Sequence, residues 1–213
     1  MLLGTEAAEF RLLEMIHDIF ESRFTDFIMP RITALGNAGI IWIILAAVLL
    51  CIPRYRRCGA VLAAGLLAGL VFGNLLIKPL IHRPRPCWLY EVQLITKIPS
   101  DYSFPSGHTS NAFLGAHMAY KEFKDSSPIL AYSGYAIAAF VAGSRLYNNR
   151  HWVADVVAGA GFGILSVELS YLIYFPIRNA IARRINRNVK NCPIVAAPVF
   201  SSNMAGFYLT YQF

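Results

Sequence analysis

The chain has 213 residues, 56% of them hydrophobic and only 15% charged, with a mean hydropathy of +0.49 and a formal net charge of +7. This balance excludes an ordinary soluble domain and places the chain in a lipid bilayer. The basic residues fall in short runs beside apolar segments, as membrane topology signals do, so nucleic acid is not the partner they imply. Residues 5–26 are amphipathic: Phe10, Leu13, Ile16 and Phe20 recur at near-helical spacing among Glu6, Glu9, Glu14 and Asp18, which predicts a helix at the membrane surface or against a bundle. After Pro30 an uncharged span is predicted over residues 32–52, closed by Arg54, Arg56 and Arg57. A second covers 58–81, with Gly65, Gly69 and Gly73 at the four-residue spacing that lets membrane helices approach. Residues 87–104 form a long polar and aromatic connection carrying Trp88, Tyr90, Lys97 and Tyr102, a candidate substrate-facing segment. Shorter spans follow over 105–120 and 128–143, and a last one over 152–176. Beyond it Arg178, Arg183, Arg184, Arg187 and Lys190 make a basic flank. Residues 191–213 carry no clear assignment, a terminal strand being one option. The predicted fold is an all-α integral-membrane bundle of about five spans plus the amphipathic N-terminal helix.

Cys51, Cys58, Cys87 and Cys192 show no metal-ligand spacing and are read as unpaired. The first residues lack the pattern of a cleaved signal peptide, so insertion is expected to rest on the spans themselves. With five alternating spans, the basic runs at 54–57, at 121–124 and after 178 share one face, which the positive-inside rule makes cytoplasmic. The opposite face then gathers Lys78, Arg85, His108, Arg145 and His151.

His151 and Asp155 lie four residues apart at the start of the last span. On a helix they share one face, so the carboxylate can fix the imidazole tautomer and leave one ring nitrogen free to attack or carry a proton. The alternative is an ordinary surface ion pair at a helix start. With Lys78, Arg85 and Arg145 nearby, the set suits a phosphate ester, whose oxygens take bidentate contacts from arginine. The backbone N–H groups of Ser106 and Gly107, at a helix start, would add donors. His151 can attack phosphorus while His108 protonates the leaving alkoxide. No metal or other cofactor is called for, because no carboxylate cluster is visible and the cations supply the charge stabilisation.

Three stretches carry a family resemblance. Lys78 followed after six residues by Arg85-Pro86, then Pro105-Ser106-Gly107-His108, then Ser144-Arg145, His151 and Asp155 resemble the three motifs of the type 2 phosphatidic acid phosphatase family, over roughly residues 36–163. The resemblance implies a helical membrane enzyme, commonly of six spans, with His151 as nucleophile forming a phosphohistidine, Asp155 as its orienter and His108 as the acid. Lys78, Arg85, Ser106, Gly107 and Arg145 would hold the phosphate. Arg83 and Arg150, beside the motifs, are candidates for a headgroup contact; His82, His117 and Glu168 are read as structural. The implied substrate is a lipid phosphate in the bilayer: phosphatidylglycerophosphate, phosphatidic acid, undecaprenyl diphosphate or lipid A. The implied setting is the bacterial inner membrane, multi-pass, with the site facing the periplasm or outside. Residues 1–30 would then be an amphipathic segment, 31–177 the membrane phosphatase domain and 178–213 a basic cytoplasmic flank and tail. Alternatives are a lipid-phosphate binding or transport protein without turnover, and a relative of the vanadate-dependent haloperoxidases, which are soluble.

Overall fold

The computed structural model describes residues 2–35, 39–92, 98–190, 194–201 and 204–211. Lys97, Cys192 and Phe213 therefore lie outside the described residues. Two compact units divide the chain, Met1–Tyr171 and Leu172–Phe213.

In the first unit the amphipathic N-terminal segment is two helices, α1 (Leu2–Phe20) and α2 (Arg23–Leu35), where the periodicity predicts one over 5–26. The break is made by Ser22, whose Oγ accepts a hydrogen bond from the Thr25 N–H at 3.1 Å and so starts a new helix. The predicted span over 32–52 is also divided. Gly39, with φ of 68°, begins α3 (Ile40–Cys51), and a side chain there would be strained. Next come a short 3₁₀ turn (Pro53–Tyr55), α4 (Arg56–Ala68), a π-helical stretch (Gly69–Ile77) and the single turn α5 (Lys78–Ile81). After α6 (Pro86–Leu89) the chain is without regular structure from 98 to 106, then forms α7 (Gly107–Phe123), α8 (Pro128–Tyr147) and α9 (Val153–Lys190).

Three helical runs are long and apolar enough to cross a membrane: Pro53–Leu89, Pro128–Tyr147 and Val153–Arg184. With 12 and 17 residues, α3 and α7 are shorter. A core of Ala46, Cys58, Val61, Leu62, Leu114, Met118, Val167 and Tyr171 joins α3, α4, α7 and α9. Many large apolar side chains, Leu70, Leu75, Ile137, Leu165 and Leu172 among them, remain on the outside, as a lipid solvent allows. Cys51, Cys58 and Cys87 are free thiols.

The glycines serve close approach unevenly. A Cβ on Gly65 would lie 2.3 Å from Leu114, whereas one on Gly69 or Gly73 would meet only ordinary contacts at 3.8 and 4.0 Å. The tightest backbone approach joins α9 to α7: a Cβ on Gly159 would come within 2.7 Å of the Ser106 carbonyl oxygen, and one on Gly163 within 2.3 Å of the Ser110 carbonyl oxygen. This contact sets how near α9 brings Asp155 to the start of α7.

At the far ends of these helices from Ser106, polar groups are paired. Glu168 accepts from Lys121 at 2.9 Å and is bonded to His117 at 2.7 Å; Glu122 is paired with Arg57 and Tyr171. In the second unit, β1 (Ile194–Ser201) pairs antiparallel with β2 (Met204–Tyr211), Ile194 opposite Tyr211 and Ser201 opposite Met204. The terminal strand foreseen as an option is thus a pair, rich in the β-branched and aromatic residues that favour extended backbone.

Gly163→Val is expected to destabilise the protein by about 1–3 kcal/mol through overpacking of backbone against backbone. Gly161→Val, at an exposed position with nothing within 4 Å of its Cβ, should leave thermal unfolding in detergent unchanged.

Candidate active site

The site is assembled at the ends of five helices, α5 to α9. Arg85 lies between two prolines in extended backbone (φ −84°, ψ 154°), at the start of α6, and only 3% of it is exposed. A buried guanidinium needs acceptors for its five N–H groups. Nε donates to the Asp101 carbonyl oxygen at 2.7 Å, Nη1 to the Arg150 carbonyl oxygen at 2.7 Å and to His151 Nε2 at 3.0 Å, and Nη2 to Asp101 Oδ1 at 2.9 Å. Lys78, first residue of α5 and also buried, donates to Asp101 Oδ2.

His151 sits in the turn between α8 and α9, two residues before α9 begins, and is buried. The turn is closed by the Arg150 N–H donating to the Arg145 carbonyl oxygen at 3.0 Å, with Asn149 in the left-handed region that asparagine tolerates (φ 50°). Because guanidinium only donates, the contact from Arg85 makes Nε2 the acceptor and puts the ring proton on Nδ1. Nδ1 lies 3.3 Å from Ser103 Oγ and 3.5 Å from Asp155 Oδ2, and the Ser103 hydroxyl donates to that same carboxylate oxygen. The shared helix face foreseen for His151 and Asp155 is corrected accordingly: the pair meets across a helix start, with Ser103 between its members. Burial, followed by the charges of Arg85, Arg145, Lys78 and His108, holds the His151 imidazole well below its usual pKa, so the ring is neutral.

Asp155 is wholly buried in the first turn of α9. Its Oδ2 accepts the Trp152 N–H at 2.9 Å, a capping contact that starts the helix, and its Oδ1 accepts Arg83 Nη1 at 2.8 Å. Arg83 in turn donates to Glu9 of α1 at 2.7 Å, and Glu9 also accepts the Ala154 N–H at 3.3 Å. Arg83, a candidate from the sequence for a headgroup contact, links the N-terminal helix to Asp155.

Ser106 stands at the N-cap of α7 and is fully buried. Its N–H, expected from the sequence to face the phosphate, donates to the Asp155 carbonyl oxygen at 3.0 Å, and its Oγ accepts from Thr109 Oγ1 at 3.0 Å. Gly107 and His108 open the helix, and His108 is within electrostatic reach of Arg145, Arg85, Lys78 and Asp101. Arg145, in the last turn of α8, is 4% exposed, and its Nε and Nη1 have no hydrogen-bond acceptor among the described residues. Of the site residues the sequence singles out, Lys78, Arg85, His108, Arg145, His151 and Asp155 thus converge, and Ser106 and Gly107 border them.

Sequence reasoning misses Asp101, Ser103 and Glu9. Asp101 and Ser103 lie in the polar stretch just before Pro105, where nothing singles them out, and Glu9, separated from Arg83 by 74 positions, has no local signal either. Asp101 is raised by burial, but hydrogen bonds and charge from Lys78 and Arg85 prevail and hold its carboxyl down to about 2. His82, in the left-handed region, lies edge-on to Tyr102 at 4.7 Å. Among the described residues no group of three or more His, Cys, Asp or Glu side chains converges as metal ligands would.

A family model described as the PAP2 superfamily matches residues 58–179. The chain belongs to the PAP2 superfamily. It is 48% identical over 71 residues to a lipid A 1-phosphatase of Porphyromonas gingivalis, a match covering 33% of this chain and only 16% of that protein. It is 32% identical over 168 residues to phosphatidylglycerophosphatase B of Bacillus subtilis, covering 72% of this chain and 71% of that one. The crystal structure of a transmembrane PAP2 type phosphatidylglycerolphosphate phosphatase from Bacillus subtilis shares the fold, with a TM-score of 0.65 at 22% identity over 79% of this chain and 85% of that one. The chain is therefore a membrane protein of helical PAP2 fold.

Because the folded pKa of Asp101 lies below its ordinary 3.8, its pairing stabilises the fold above that pH and is lost as pH falls through about 2. Asp101→Asn is expected to lower the Tm at neutral pH and to remove the part of the acid-induced loss that falls between these two values, read by thermal unfolding in detergent across that range.

Proposed function

We propose that this PAP2 chain hydrolyses the phosphate of a membrane lipid without a metal, through a phosphohistidine on His151. The observation that carries the reading is Arg145, a buried guanidinium with two nitrogens that find no acceptor among the described residues, beside Lys78, Arg85 and a neutral histidine. A buried cation with unmet donors suits an incoming anion, and three cations match the three non-bridging oxygens of a phosphate monoester.

In this reading Arg85 turns from His151 Nε2 to the phosphate, freeing the nitrogen lone pair. Nε2 bonds to phosphorus as the bond to the lipid oxygen breaks. His108, whose pKa is held down to about 3 by burial and the neighbouring cations, takes up a proton once the phosphate's negative charge offsets them, and gives that proton to the oxygen. Asp155, reached through Ser103 and directly, stabilises the positive charge gained by the ring. Water then attacks phosphorus with His108 as base, the N–P bond breaks, and inorganic phosphate leaves. Arg83 and Glu9 hold Asp155 at its place in this sequence of events.

An apolar cavity of about 450 Å³ supports a lipid substrate. It runs between α3, α4 and the π-helical stretch, lined by Ile43, Leu66 and Leu70, and reaches Asn74 and Gly107 at the site's edge. The substrate class comprises phosphatidylglycerophosphate, phosphatidic acid, undecaprenyl diphosphate and lipid A. The basic runs at the opposite helix ends support a bacterial cytoplasmic membrane setting with the site facing outward. Residues 31–177 would form the phosphatase domain, with 1–30 at the membrane surface and 178–213 as a cytoplasmic flank.

The test is phosphate release by purified protein in detergent with EDTA present, across those four lipids. His151→Ala is expected to abolish release and the acid-labile phosphoprotein. Asp155→Asn should lower turnover by something approaching the ~10⁴-fold seen when a triad loses its orienting carboxylate. Near-normal release by His151→Ala would overturn the mechanism.

A further inference from the structure

Asp101 has no part in the reaction just described, yet it occupies the cations on which that reaction depends. Its Oδ1 accepts from Arg85 Nη2 at 2.9 Å and its Oδ2 from Lys78. Two carboxylate oxygens on two cations are arranged as two oxygens of a phosphate would be on the same pair. Since Arg85 Nη1 lies 3.0 Å from His151 Nε2, an anion replacing Asp101 on this guanidinium is brought beside the nucleophilic nitrogen.

Three asymmetries mark the carboxylate as the partner that yields. The Lys78 and Arg85 side chains are 10% and 3% exposed, while that of Asp101 is 53% exposed. Both cations are anchored at helix ends, whereas Asp101 lies in chain without regular structure, so it can withdraw without breaking a helix. Finally, a carboxylate has two oxygens, and Arg145 Nε and Nη1 remain without acceptors among the described residues. A phosphate has a third oxygen for them. Carboxylate and phosphate cannot share the two cations, because like charges at that distance repel strongly.

We propose, resting on the phosphatase reading above, that Asp101 is a specificity-determining residue: a resident anion on Lys78 and Arg85 that a lipid phosphate displaces and free phosphate does not. Displacement costs two charge-assisted hydrogen bonds. A lipid offsets that cost by placing its chain in apolar surroundings, and orthophosphate has no chain. After hydrolysis the lipid alcohol no longer helps to hold the phosphate, and the returning carboxylate expels it. The pocket is thereby kept clear of its own product and of soluble phosphate.

The experiment measures orthophosphate affinity on the full chain in detergent, both by calorimetry and as competitive inhibition of lipid hydrolysis. Asp101→Asn is expected to tighten orthophosphate by about tenfold and to raise kcat/KM for p-nitrophenyl phosphate relative to the lipid. Asp101→Glu, which keeps the charge, should retain the weak wild-type affinity. Unchanged or weaker orthophosphate binding in Asp101→Asn, with the protein folded by thermal unfolding, would overturn the proposal and make Asp101 a brace for the cations. Calorimetry keeps the two ideas apart: absence of lipid hydrolysis by the wild type removes the phosphatase reading, while the exchange of Asp101 for phosphate, and its loss in Lys78→Ala, is still read directly.

Discussion

The buried guanidinium of Arg85 is the constraint around which the polar end of this bundle is organised. A permanent cation that is 3% exposed cannot be left without acceptors, and the acceptors it takes come from two separated stretches of chain: residues 101 and 102, and residues 150 and 151. Meeting its needs closes the loop before α7 onto the turn before α9. The same contact from Arg85 settles the tautomer of His151, so one interaction decides both where the imidazole sits and which nitrogen carries a lone pair.

Asp155 provides the complementary anchor. Its side chain caps α9, receives Arg83 and Ser103, and faces His151, while its carbonyl oxygen takes the N–H of Ser106 at the start of α7. The close packing of Gly159 and Gly163 against α7 makes that backbone contact reachable. The second and third sequence motifs are thus joined by a hydrogen bond between main chains.

The chemistry of the site was legible in the sequence because permanent charge is costly in an apolar chain, so each ionisable residue between spans needed a reason. Lys78, Arg85, Arg145, His151 and Asp155 stood out on that ground. Asp101 and Ser103 did not, since a polar residue in a polar loop violates no expectation. Glu9 was hidden for a different reason: on an amphipathic helix an acid reads as a solvated face, and nothing local distinguishes the one that turns inward. Helix limits were less legible than helix existence. The break at Ser22 depends on a capping hydrogen bond, that at Gly39 on a left-handed backbone, and the π-helical turns of 69–77 leave the apolar pattern intact.

The link from Glu9 through Arg83 to Asp155 has a consequence for how the protein is made. Glu9 leaves the ribosome first, yet the Ala154 N–H that it accepts lies 145 positions later and Arg83 lies 74 positions later. Until the start of α9 has been synthesised, Glu9 has Arg83 to pair with but neither the Ala154 N–H nor the Asp155 carboxylate on the far side of that guanidinium. Assembly of the site therefore waits on the start of the last long helix, and a nascent chain halted before it carries the cations and His151 but not the Asp155 carboxylate that orients the ring.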